Sequence, residues 1–141
     1  MTAADRLRAA RGIRHRYRTD RRTFERIVSE VVSSLPEQFR ARLDNLAIIV
    51  AEWPTDEDND VGVRQRGVEP DEATDLLGLY QGVPYGERMR GYHLAVPDQI
   101  TIYRQPILAA CRSEAEVREE IRQTVLHEIG HYFGLDEHEL P

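Results

Sequence analysis

The stretch His127-Glu128-Ile129-Gly130-His131, continuing Tyr132-Phe133-Gly134-Leu135-Asp136-Glu137-His138, decides how the rest of the chain is read. Two histidines four residues apart stand one above the other on a helix, so their imidazoles can grip one small cation together. Glu128 follows the first histidine, where a carboxylate can take a proton from a water that the cation activates. His-Glu-x-x-His at this spacing is the signature of zinc hydrolases. A pattern this short also arises by accident, as a surface helix carrying two incidental histidines, so its surroundings have to agree with it.

They do. Ser113 and Glu116 form a Ser-x-x-Glu capping box, and Glu114, Glu119 and Glu120 bring negative charge toward the positive end of the helix dipole. From there Val117, Ile121, Val125, Ile129 and Tyr132 recur at three- and four-residue spacing and give one apolar stripe for the core. At about 100° per residue, His127 and His131 project away from that stripe, beside Thr124, and line a cleft. Gly134 suits the left-handed position that ends a helix and turns the following residues back toward the histidines.

Zinc hydrolases use three protein ligands and leave a fourth position to water. His127 and His131 supply two. Only ten residues follow His131, too few for a later helix carrying a glutamate ligand. The third ligand therefore lies in the tail or upstream. Counting three residues past Gly134, as in the His-Glu-x-x-His-x-x-Gly-x-x-His arrangement, gives Glu137, with His138 and Asp136 as alternatives and His93 and His15 as remote ones. In this reading Glu128 is the general base, and Tyr85, Tyr92 and His93 are candidates for a second oxyanion donor.

With 141 residues, 40% of them apolar and 31% charged, the chain has the composition of one soluble globular domain. No apolar run reaches membrane-spanning length, so no membrane partner is expected. The start lacks the apolar core of a secretory signal, and Cys111 is the single cysteine. A cytoplasmic location is the expectation. The formal charge of −6 argues against a protein that coats nucleic acid. Arg6, Arg8, Arg11, Arg14, Arg16, Arg18, Arg21 and Arg22 nevertheless crowd the beginning. Residues 1–19 read as a basic, mobile arm, most simply a solvated tail, and residues 20–141 as the single domain. Tyr17 among the arginines is one aromatic that can stack on a base, which is weak support for a nucleic-acid role.

A helix capped by Thr19 or Asp20 buries Phe24, Ile27, Val28, Val31 and Leu35. Ser34-Leu35-Pro36-Glu37 repeats the capping-box pattern and starts a short second helix with Phe39 and Leu43. Leu46 to Ala51 is a continuous apolar run, expected as a strand covered on both faces. From Thr55 to about Asp75 the chain is acidic, with Asp56, Glu57, Asp58 and Asp60, and reads as a long surface loop. It lacks the ligand spacing of a calcium loop. Leu76 to Gln81 is a second strand. Gln99-Ile100-Thr101-Ile102-Tyr103 alternates, as a third strand with one buried face. Pro106 stops it, leaving Ile107 to Ala110 as a link.

With these residues in hand, the chain resembles the small bacterial zincin-like metallopeptidases, or minimal zincins, from about Phe24 to its end. The marks are Leu35-Pro36-Glu37-Gln38-Phe39, Glu52-Trp53-Pro54, Leu77-Gly78-Leu79-Tyr80-Gln81-Gly82, Pro97 to Arg104, and the segment from His127 to Glu139. The resemblance implies an α+β fold in which a small twisted mixed sheet packs on N-terminal helices and the motif helix. It also implies Ile100–Tyr103 as an edge strand that pairs with an extended peptide. It carries His127 and His131 over as zinc ligands, Glu128 as the catalytic carboxylate and Glu137 as the third ligand. No methionine follows the site, so the methionine turn of metzincins is absent.

Three functions compete. A zinc-dependent peptidase acting on a peptide or protein substrate leads. A zinc-stabilised binding or regulatory protein without turnover comes second. A nucleic-acid binder using the basic arm is third.

Overall fold

Asp20 starts the first helix, α1 (Arg21–Ser33), because its carboxylate accepts the Thr23 N–H at 2.7 Å and satisfies a donor that every helix start leaves over. The computed structural model describes residues 17–66, 76–82 and 98–133. Phe24, Ile27, Val28 and Val31 are buried along one face of α1, at the spacing read from the sequence. Ser34 closes this helix instead of opening the next. Its hydroxyl donates to the Val31 carbonyl at 2.8 Å, and its amide donates to Glu30 and Val31. The short α2 (Glu37–Arg40) accordingly follows Pro36 with no side-chain cap, so the expected capping box at Ser34 does not form. A 3-10 turn over Ala41–Leu43 then buries Leu43.

Among the described residues three strands make one mixed sheet: β1 (Ala47–Ala51), β2 (Gly78–Gln81) and β3 (Gln99–Tyr103), in the order β1-β3-β2. β1 runs parallel to β3 with Ile48 beside Ile100, and β2 runs antiparallel with Tyr80 beside Ile100. Two expectations are corrected here. β3 is the middle strand, buried on both faces from Ile100 to Tyr103, so it has no free edge to offer a peptide. β1 is not covered on both faces; it stands at the edge of this sheet, and Ile49 is 40% exposed. The alternation in β3 misled because Thr101 and Tyr103 count as polar in a pattern yet have their own covering layer.

On the Tyr103 side of the sheet lies α3 (Asp56–Arg66), where a long loop was expected. Thr55 and Asp58 cap it reciprocally: the Asp58 N–H donates to Thr55 Oγ1 at 3.0 Å and the Thr55 N–H to Asp58 Oδ2 at 3.1 Å. The acidic cluster is thus the first turn of a helix, where negative charge suits the dipole. Val61 packs with Leu76, Leu79, Tyr103 and Ala51 in a small core on this side of the sheet.

The main core lies on the other side. Val50, Tyr80, Ile100 and Ile102 meet α1, α4 (Arg104–Ala110) and α5 (Glu114–Phe133) there. α4 begins directly after β3, with Pro106 as its third residue, so the proline does not break the chain's course as expected. In a first turn the missing N–H has no intrahelical partner to lose. α1 packs along α5, and Arg118 of α5 reaches Glu30 of α1 at 2.8 Å. The architecture is α+β, as the sequence led us to expect.

The chain is already anchored at Tyr17, inside the stretch read as an arm: its amide donates to the Cys111 carbonyl at 3.3 Å and its side chain packs on the main core. Residues 1–16, with the other arginines of that run before Arg18, lie outside the described residues. Among the described residues no helix is long and apolar enough to cross a membrane.

Candidate metal centre

The helix that carries the motif starts where its cap predicts. The Glu116 N–H donates to Ser113 Oγ at 3.1 Å, and Val117, Ile121, Val125, Ile129 and Tyr132 are all buried. Leu126, Thr124 and Glu128 are buried too, so α5 is enclosed on more than one face along its second half. His127 and His131 are half-buried, which leaves their rings reachable from outside.

β2 sets the position of this half of the helix. Gly78 is buried, and a β-carbon there would lie 2.4 Å from Thr124 Cγ2, so only glycine allows strand and helix to come this close. Two residues further along β2, the Tyr80 N–H donates to Glu128 Oε2 at 3.1 Å. Four residues of helix rise about 6 Å and two residues of strand about 6.6 Å. The steps from Thr124 to Glu128 and from Gly78 to Tyr80 therefore keep pace. The ring of Tyr80 also meets that of Tyr132 edge-on, with centroids 5.5 Å apart.

Glu128 is 1% exposed. A carboxylate taken so far from water has to be met by donors, and the strand amide is one of them. On the far side of the sheet the Tyr103 hydroxyl donates to Asp58 Oδ2 at 3.0 Å. Burial, the Asp58 carboxylate and, more weakly, the Glu128 carboxylate hold the Tyr103 phenol far above its ordinary value, so it stays a neutral donor.

The two imidazoles bring their Nε2 atoms to 3.2 Å, with ring centroids 4.9 Å apart. Two nitrogens bonded to one zinc ion at 2.0–2.1 Å with a tetrahedral angle between them stand about 3.3 Å apart. The pair therefore has the bite of a tetrahedral cation site. The ligand atoms of His127, Glu128 and His131 all lie within 4.8 Å of one another, so the structure brings the three motif residues together as a group able to hold a metal ion.

Glu137, with Asp136, His138 and Gly134, lies outside the described residues, as do His93, His15, Tyr85 and Tyr92. What sequence reasoning missed is the partner of Glu128. A backbone amide carries no side-chain signature, and the one available signal was Gly78, an isolated glycine within a strand, which marks a close approach. The Asp58–Tyr103 link was likewise hidden, once Asp58 had been assigned to a loop.

The model of the zincin-like metallopeptidase family matches residues 43–141, and the chain belongs to this family. Among solved structures it is similar to a conserved hypothetical protein from Thermus thermophilus, with 21% identity over 80% of this chain and 92% of that one, at a TM-score of 0.48. No curated protein matches the chain.

Proposed function

We propose that the chain is a zinc-dependent peptidase, with His127 and His131 as two ligands, Glu137 as the third, and Glu128 as general base. The observation that carries this reading is the meeting of a buried carboxylate with two imidazole nitrogens 3.2 Å apart on one helix. A zinc ion held there would supply Lewis acidity toward a substrate carbonyl and would make water acidic enough to react near neutral pH. Glu128 takes the proton from the attacking water and hands it to the departing amine. An extended peptide suits the site as substrate. β2 runs beside the motif helix, and a strand next to such a site can receive an extended chain through backbone hydrogen bonds.

Glu128→Gln tests this reading. Zinc content should stay that of wild type while peptide cleavage falls by about 10²–10⁴-fold. Equal cleavage by the two proteins removes the proposal.

A second reading draws on the Tyr80–Glu128 bond, which gives the carboxylate a use in holding helix to strand. The chain is then a zinc-stabilised binding protein that turns nothing over. Stoichiometric zinc, loss of stability on chelation and no hydrolysis across a broad peptide library would select it.

A further inference from the structure

We infer that the backbone N–H of Tyr80 is a positioning group of Glu128, holding its carboxylate in the setting from which it exchanges protons; the inference rests on the peptidase reading. Phase within the sheet puts that amide in the right place. The Tyr103 N–H donates to the Leu77 carbonyl at 3.0 Å, so Leu77, Leu79 and Gln81 turn their backbone groups toward β3. Tyr80 turns its own away, across the outer edge of β2, and the Glu128 carboxylate takes it at 3.1 Å. Both residues are buried, Tyr80 at 3% and Glu128 at 1% exposed, so water competes little for the bond. The Gly78–Thr124 contact one step earlier sets how closely the helix approaches the strand.

An anchored carboxylate differs from a free one in what it can do. With Oε2 held, rotation about the last side-chain bond is restrained, and the carboxylate keeps its setting beside the imidazole pair. A general base works through such pre-set geometry, because a proton is transferred only along a short, aligned path. An edge amide committed to Glu128 is also withheld from any peptide laid along β2, which must bond to the strand on either side of Tyr80.

Amide exchange measured by NMR on the full chain, zinc-free and zinc-loaded, tests the anchor without any turnover. The Tyr80 amide should exchange at least about tenfold faster in Glu128→Ala than in wild type. Glu128→Gln, which keeps an acceptor oxygen, should retain most of the protection, and zinc should leave it in place. A full-length chain with the α-hydroxy acid of tyrosine at position 80 keeps the phenol and removes only the N–H. Its zinc content should match wild type while kcat falls about ten- to a hundredfold at unchanged KM. Equal exchange in wild type and Glu128→Ala, loss of protection on adding zinc, or an unchanged kcat in the ester chain overturns the inference. A wild-type protein that cleaves no peptide removes the peptidase reading instead, and amide exchange alone then decides whether the anchor exists.

Discussion

Gly78 and Thr124 touch so closely that strand β2 and helix α5 share one surface: a β-carbon on the glycine would stand 2.4 Å from the threonine Cγ2 and 3.1 Å from the Thr101 carbonyl oxygen. Gly78→Ala must therefore push the helix off the strand. We expect it to destabilise the fold by about 1–3 kcal/mol and to loosen the Tyr80–Glu128 bond with it. Adding Thr124→Ser, which deletes the offending methyl, should recover a large part of the loss. Urea unfolding of both single variants and the double variant measures this coupling, and simple additivity would show that the contact is not limiting.

The imidazole pair predicts a stability that follows metal supply. Zinc in hundredfold excess over its dissociation constant should add about 2.7 kcal/mol to the folded state. Chelation should remove that gain. His127→Ala and His131→Ala should each abolish the response, since one imidazole no longer makes the bite. Thermal melts with zinc and with chelator compare the three proteins directly. A zinc-dependent shift of equal size in both alanine variants would move the metal elsewhere.

Glu52 ties three elements together. Arg104 meets it at 2.9 Å, Gln105 donates to it at 3.1 Å, and Arg21 approaches from α1 at 3.7 Å. The Arg104 hydrogen bond, foremost, holds the Glu52 carboxyl below its ordinary value of 4.5. A carboxylate whose folded value is depressed lends stability above its unfolded value, and the gain disappears as pH falls through the folded one. Glu52 is 36% exposed at its side chain, and screening limits the effect to about 1 kcal/mol. The gap between wild type and Glu52→Gln in denaturant should therefore be present at pH 7 and close below about pH 4.

Tyr103→Phe should cost about 1 kcal/mol, because it deletes the donor that meets Asp58 across the second face of the sheet. The loss should fall on α3, whose first turn Asp58 also caps. Faster amide exchange in the turn after Thr55, with α5 unchanged, is the expected signature. Uniform loss of protection would point to the main core instead.

Cys111 is buried at 2% exposure, and burial foremost pushes its thiol up to about 11. A thiol that is neither ionised nor reachable reacts only when the structure opens. Labelling by a thiol reagent at pH 8 should be slow in native protein and accelerate with denaturant in step with unfolding. As pH rises from about 9 toward 11 the unfolded thiol ionises before the folded one, so this residue draws stability down over that window. Cys111→Ala should lack that part of the alkaline decline.

Much of the fold could be read from side chains, because helices with one apolar stripe announce themselves: α1 and α5 stand where Phe24 to Val31 and Val117 to Tyr132 placed them. The motif triad was legible for the same reason, since two histidines four apart on a helix have little choice about facing each other. Errors arose where neighbours decide. Thr55-Asp56-Glu57-Asp58 is a helix start that composition disguised as a loop. Strand order was invisible too, because an alternating segment such as Gln99–Tyr103 reads alike whether one face or both are covered. The backbone donor that meets Glu128 leaves no trace in residue types at all, apart from the small Gly78 beside it.

Among the described residues the sheet has three strands and two rims, and a different device meets each. The Ala47 amide bonds to Asp98, so alternate residues of β1 face inward and Val50 turns its carbonyl outward, where the Arg21 guanidinium covers it. Along β2 the guard is the motif helix itself, through Glu128. Loosening the first should promote self-association, because a bare strand margin invites a second copy to pair. Loosening the second should do that and, on the peptidase reading, silence turnover together, which makes resistance to clumping and chemical competence two outcomes of a single carboxylate.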